Sequence, residues 1–156
     1  MVGTIAVERY RKGFLAVLET VVERSQGYFL EPESSLFEIL ASVSAEEASR
    51  PVGVHGSTLA AQVAHVHVYI AARNDQIRTG EERPVDWAAA WQTGSVTEGE
   101  WRALTEGLRA EYEQLLAFVR TFEDWDEWAI GDAFALIGHC AYHLGEIRQG
   151  LGLLRG

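Results

Sequence analysis

Residues 130–154 read IGDAFALIGHCAYHLGEIRQGLGLL, and this segment indicates the fold class most strongly. Its apolar side chains return every three or four residues, which is the period of one buried face of an α-helix. His139 and His143 fall within the same apolar sector. The segment therefore predicts a long helix whose buried face also carries polar groups. The apolar positions are Leu136, Cys140, Leu144, Ile147, Leu151 and Leu154.

Three other segments have the same helical period. They cover residues 4–26, residues 58–78, and a stretch that starts within two overlapping capping boxes at residues 95–100 and reaches Phe122. Ser57 or Thr58 can cap the second of these helices. Because no segment shows strand alternation, we predict a single all-α domain over residues 1–156. Four long helices favour a four-helix bundle with antiparallel or crossover connections.

The charge and cysteine content exclude several classes of function. The 156 residues include 13 Lys plus Arg and 23 Asp plus Glu, so the net charge is −10. This acidity disfavours nucleic acid and anionic membrane surfaces as partners. The apolar stretch 59–72 is too short to span a bilayer, and the N-terminus does not resemble a signal peptide. A single Cys excludes an internal disulfide framework, so we expect a cytoplasmic protein.

His139 and His143 are four residues apart, which places them on one face of a helix, one turn from each other. Two imidazoles in this geometry can chelate one metal ion. The alternative is that each is a buried histidine satisfied by its own hydrogen bond. An unsatisfied buried nitrogen costs about 1–3 kcal/mol, and a shared metal would remove that cost for both rings.

A third ligand is available on the second helix. His65 shares its helical face with small residues that leave room for an ion or a substrate, whereas His67 is turned by about 200° from it, so one of the two is structural. His55 precedes this helix in a loop, either at the rim of a cavity or exposed. Three imidazoles leave a coordination position open, which is the pattern of catalytic metal sites. Such a metal can activate water or a thiol.

These elements together resemble the DinB superfamily, which includes the YfiT-like metalloproteins. The resemblance lies in the long N-terminal helix, in STLAAQVAHVHVY at residues 57–69, and in GHCAYHLGEIRQGL at residues 138–151. It implies a four-helix bundle with a crossover connection, often dimeric. It also implies that a divalent metal, with zinc or nickel as our first candidates, is bound by His65, His139 and His143. Some members use low-molecular-weight thiols, and others resemble hydrolases.

Other residues near these motifs have more than one interpretation. Many relatives have Gln where this chain has Glu146, whose carboxylate can orient a ligand histidine, act as a general base, or remain solvated. Tyr69 can hydrogen-bond a substrate or belong to the core. Cys140 is expected to be a buried, inert thiol, and Asp132 to cap or begin the last helix.

We therefore expect a metal-dependent enzyme acting on small molecules, either an S-transferase that uses an external thiol or a hydrolase. The catalytic candidates are Glu146 and Tyr69, and substrate contacts are expected from residues 80–94. The alternative is a non-catalytic metal-binding or stress-associated interaction protein on the same bundle. We also expect a homodimer.

Overall fold

The computed structural model describes residues 6–27, 29–52 and 56–156. Within them, all regular secondary structure is helical apart from one isolated bridge between Pro51 and Thr58, which confirms the all-α class. His55 lies outside the described residues. The helices are α1 (Val7–Val22), α2 (Leu36–Leu40), α3 (Ala45–Ala48), α4 (Leu59–Thr79), α5 (Trp87–Ala90), α6 (Glu98–Thr121) and α7 (Glu127–Arg155).

The helix ends follow from local hydrogen bonds. The Thr58 side chain accepts from the backbone N–H of Ala61 and starts α4, which ends at Gly80 in the left-handed conformation that glycine favours. Thr97 and Glu100 form the predicted capping box of α6. Thus the capping signals located the starts of both helices.

Two predicted boundaries were wrong. Helix α7 begins three residues before residue 130, because Asp126 caps it by accepting from the backbone N–H of Ala129. Asp132 therefore lies inside α7 and does not begin it. Helix α1 ends at Val22, short of residue 26, because the backbone N–H of Ser25 donates to the Glu38 carboxylate.

The four long helices share one core, in which α4 packs against α6 and α7, and α1 packs against α7 and α6. Each fully buried Leu or Ile side chain contributes roughly 1.5–3 kcal/mol of hydrophobic stabilisation. The core Leu and Ile side chains that are no more than 2% exposed include Leu18, Leu36, Leu59, Ile70, Leu108, Leu144 and Ile147.

Helices α4 and α7 run antiparallel. At one end of the contact, a methyl group on Gly150 would lie 2.8 Å from Cγ2 of Val52 and 3.0 Å from Cδ2 of Leu59, so α7 approaches the start of α4 closely. At the other end, Arg73 Nη1 lies 3.8 Å from Asp132 Oδ2. The two helices therefore lie side by side between these contacts, and this pairing brings their histidines together.

None of the helices in the described part of the chain is long and apolar enough to cross a membrane.

Candidate metal centre

His65 on α4 and His139 and His143 on α7 form one cluster. One ring nitrogen from each lies within 4.8 Å of the other two. The ring centroids are 5.1 Å apart for His65 and His139, 4.9 Å for His65 and His143, and 4.5 Å for His139 and His143. The three predicted ligands are therefore close enough to hold a metal ion.

The hydrogen bonding of the cluster is incomplete in a way that fits a metal. His65 Nδ1 and His139 Nε2 are buried and have no hydrogen-bond partner among the residues that the structure describes. Leaving a buried polar atom unpaired costs about 1–3 kcal/mol, so two such atoms in one cluster require a compensating interaction. A cation bound by both nitrogens would supply it.

The third histidine is held by a buried glutamine. His143 Nδ1 lies 2.6 Å from Oε1 of Gln62, which is only 3% exposed. The Gln62 side-chain amide donates to Oε2 of Glu146 at 2.7 Å, and the Tyr142 hydroxyl donates to the other carboxylate oxygen of Glu146 at 2.6 Å. These contacts form a continuous chain from the surface of α7 to the cluster.

This chain determines which nitrogen of His143 is free. A carboxylate only accepts hydrogen bonds, so the amide NH₂ of Gln62 must face Glu146, and its oxygen must face His143. The oxygen can only accept, so His143 Nδ1 carries the proton. Nε2 is then unprotonated and available as a ligand, as in metal sites where an outer hydrogen bond fixes the tautomer of the ligand imidazole.

The cluster favours neutral imidazoles. Burial, together with a smaller effect of the neighbouring imidazoles, lowers the pKa of His139 and of His143 to about 4. At His143 the Glu146 charge opposes this shift. Burial also lowers the pKa of His65, against the opposing effect of the Glu146 charge. Because only a neutral imidazole binds a metal, the ligands are in the required state at neutral pH.

Aromatic rings surround the cluster. Tyr69 stacks on His139 with a centroid distance of 3.8 Å and an interplanar angle of 12°, and Trp91 stacks on His65 at 4.4 Å. Trp87 lies 5.9 Å from His65. Both tryptophans belong to the segment 80–94, from which substrate contacts were expected, and both keep more than a third of their surface exposed. Because His65 and His139 are themselves only partly buried, the site is bordered by rings but open to solvent.

The donor set fits a divalent metal with nitrogen ligands. Zinc binds imidazole nitrogen at about 2.0–2.1 Å, which places tetrahedral ligands roughly 3.4 Å from one another. The three nitrogens lie within 4.8 Å of one another, so the rings would have to move closer together to bind such an ion. Three ligands leave at least one coordination position for water or substrate.

The remaining predicted residues are not part of the three-histidine cluster. His67 faces α6, where a methyl group on Gly107 would lie 2.9 Å from its Cε1 atom, so His67 is the structural histidine of the α4 pair. Cys140 is fully buried, and burial raises its pKa to about 12. Asp132 pairs loosely with Arg73. The Glu146 carboxylate is engaged by Gln62 and Tyr142, which favours an orienting role over a general base.

Gln62 is the residue of the site that was not predicted from the sequence. Its signal was present, because it is an uncharged polar residue within the apolar stretch 59–72 and lies three residues before His65. A buried amide needs partners for both its NH₂ and its oxygen. Those partners come from α7, which the sequence of α4 alone does not identify.

No family model, curated protein or solved structure matches this chain. The functional assignment therefore depends on the geometry of the site.

Proposed function

We propose that this protein is a divalent-metal-dependent enzyme that acts on small molecules, with His65, His139 and His143 as the metal ligands. The observation that carries the proposal is the pair of buried, unpartnered nitrogens, His65 Nδ1 and His139 Nε2, beside a third imidazole held in one tautomer. Zinc and nickel are our first candidates, because imidazole suits both.

The reaction that we favour is S-transfer from an external low-molecular-weight thiol. When bound, a divalent metal supplies Lewis acidity, which lowers the pKa of a coordinated thiol or water. Cys140 is buried and its pKa is raised, so the thiol would come from a second molecule. Hydrolysis is the second candidate, because the same open position can accept water.

The residues around the ligands have separate roles in this proposal. Gln62 and Glu146 are positioning residues, since they contact His143 and one another. The Tyr69 hydroxyl makes no hydrogen bond to the part of the chain that the structure describes, although its ring packs on His139. That hydroxyl is therefore available to bind a substrate. Trp87 and Trp91 would border the substrate.

The proposal extends to the fold and the assembly. The packing of α1, α4, α6 and α7 supports a four-helix bundle of the DinB type with a crossover connection. Phe134 on α7 is 65% exposed beside Tyr10 of α1, which supports a homodimer formed through α1 and α7. We place the protein in the cytoplasm because its one cysteine is a free thiol.

The test of function is turnover by the metal-loaded protein. Thiol transfer to a chromogenic electrophile is measured with several small thiols, and hydrolysis with a panel of activated esters and amides. We expect turnover that is lost when the metal is removed and in His143→Ala. His67→Ala is the control and should retain turnover, because His67 lies on α4 but outside the cluster. Stoichiometric metal without any turnover would favour the non-catalytic metal-binding protein instead.

A further inference from the structure

A cavity of about 480 Å³ lies beside the histidine cluster, between the second half of α4 and the segment 82–87. Trp87 borders both the cavity and the histidine cluster. It lines the cavity, and its ring lies 5.9 Å from His65 and 6.2 Å from Tyr69. A molecule in the cavity would therefore be next to the proposed metal centre.

Arg73 connects the cavity to the cluster. It lines the cavity, and its guanidinium lies 5.4 Å from the centroid of the Tyr69 ring. That ring stacks on His139 at 3.8 Å. Arg73 and His139 therefore both contact the Tyr69 ring, which places the guanidinium near a candidate metal ligand.

The guanidinium has unused hydrogen-bonding capacity. Arg73 Nη1 donates to Oε1 of Gln76 at 2.7 Å, and its nearest carboxylate oxygen, on Asp132, is 3.8 Å away. An arginine offers five N–H donors in a planar fork that matches a carboxylate. The other arginine of the cavity, Arg83, is already paired with Asp75 at 3.2 Å.

The charge around this cavity differs from that of the whole chain. The protein carries a net charge of −10, whereas the cavity is lined by two arginines and one carboxylate, Glu82. Because Asp75 already pairs with Arg83, Arg73 is the guanidinium of this cavity that can attract an anionic ligand.

We propose that Arg73 binds the carboxylate of a small ligand whose other end lies at His65, His139 and His143. The substrate or co-substrate class is then a short carboxylate-bearing molecule, and for S-transfer a carboxylate-bearing thiol. This inference rests on the proposed metal centre, but the Arg73 contact can be measured separately.

The test compares 3-mercaptopropionate with 3-mercaptopropionamide, which has the same length and no charge. Binding to the cobalt(II)-loaded protein is followed by thiolate-to-cobalt absorption. We expect the carboxylate to bind about tenfold more tightly, which corresponds to about 1.4 kcal/mol. The preference is expected to disappear in Arg73→Gln and to persist in Arg78→Gln, which removes the same charge from an exposed position of the same helix. Asp132→Asn is expected to increase it, because a competing carboxylate is removed.

The proposal would be overturned if the wild type and Arg73→Gln preferred the carboxylate over the amide to the same degree. A second measurement separates it from the metal centre: in metal-free protein, 3-mercaptopropionate is expected to shift the Nε–H resonance of Arg73, and the amide to leave it in place. If the protein binds no cobalt but the Arg73 resonance still shifts with 3-mercaptopropionate, the metal centre alone is contradicted. If the protein binds cobalt but 3-mercaptopropionate does not shift the Arg73 resonance, the carboxylate site alone is contradicted.

Discussion

At the scale of single residues, the central feature is the hydrogen-bonded chain from Glu146 through Gln62 to His143. Its distances of 2.7 and 2.6 Å join two helices and fix one imidazole tautomer. Neither Glu146 nor Gln62 is one of the three candidate ligands. Together, however, they fix the orientation and the tautomer of the His143 ring. Outer residues of this kind typically alter metal affinity by 10–100-fold.

Gln62→Leu is predicted to weaken zinc binding by about 10–100-fold, because His143 Nδ1 loses its acceptor and the ring loses its fixed orientation. Gln114→Leu, an exposed glutamine on α6, provides the matched control and should bind zinc as the wild type does. Competition with a chelator of known affinity measures both. An unchanged affinity in Gln62→Leu would show that the chain does not orient the ligand.

The histidines also predict how the metal-free protein responds to acid. His139 and His143 have pKa values of about 4 in the folded state and about 6.5 when unfolded. Between these values the unfolded chain binds more protons, so stability is complete above about pH 6.5 and falls as the pH drops towards 4. We predict a loss on the order of 1–3 kcal/mol in the free energy of unfolding.

Urea unfolding of metal-free protein at pH 7.5, 6 and 5 measures this loss. His139→Gln removes one of the two groups and should show a shallower dependence over the same range. A wild-type stability that is constant from pH 7.5 to 5 would mean that the two rings are not buried as neutral groups.

At the scale of helices, the site depends on the antiparallel register of α4 and α7. Gly150 allows a close approach, since a methyl group there would lie 2.8 Å from Val52 and 3.0 Å from Leu59. Gly131 is on the same helix, is exposed and has no such neighbour within 4 Å. The two glycines therefore differ in packing and not in helix type.

Gly150→Ala is predicted to destabilise the protein by about 1–3 kcal/mol, because overpacking outweighs the better helix propensity of alanine. Gly131→Ala should stabilise it by up to about 1 kcal/mol, since only propensity changes. Thermal or urea unfolding of the two variants measures both signs. A Gly150→Ala protein as stable as Gly131→Ala would contradict the close approach of α7.

Helical period and capping chemistry predicted most of the elements, and they failed where a distant partner decided the outcome. Thr58 and Thr97 cap their helices through neighbours in the sequence, so their signals could be recognised. Helix α1 ends early because Ser25 binds Glu38, a residue of α2. The spacing of His139 and His143 predicted a shared face, but the role of Gln62 depends on the interhelical register, which no local pattern contains.

At the scale of the whole molecule, the outer surface of α1 and α7 is the proposed dimer interface. Phe134 is 65% exposed there, in a groove that also includes Tyr10, Val17 and Ile137. Exposed apolar surface of this kind is typical of protein interfaces. The candidate metal centre lies between α4 and α7, so dimer formation and metal binding can be tested independently.

Phe134→Glu is predicted to convert a dimer into a monomer, because it places a charge within an apolar interface. Leu153→Glu, at an exposed site near the other end of α7, should remain dimeric. Sedimentation over a concentration series measures both. A wild-type protein that is monomeric at micromolar concentration would remove the dimer and leave the metal centre unaffected.

The proposal that one domain holds a divalent metal through three histidines is tested most directly by calorimetric titration of metal-free protein with zinc. We predict about one equivalent of zinc per chain, as a single three-histidine site requires. Binding should be lost in His139→Ala and retained in His67→Ala. Substoichiometric binding by the wild type, or binding that His139→Ala leaves unchanged, would contradict the metal centre.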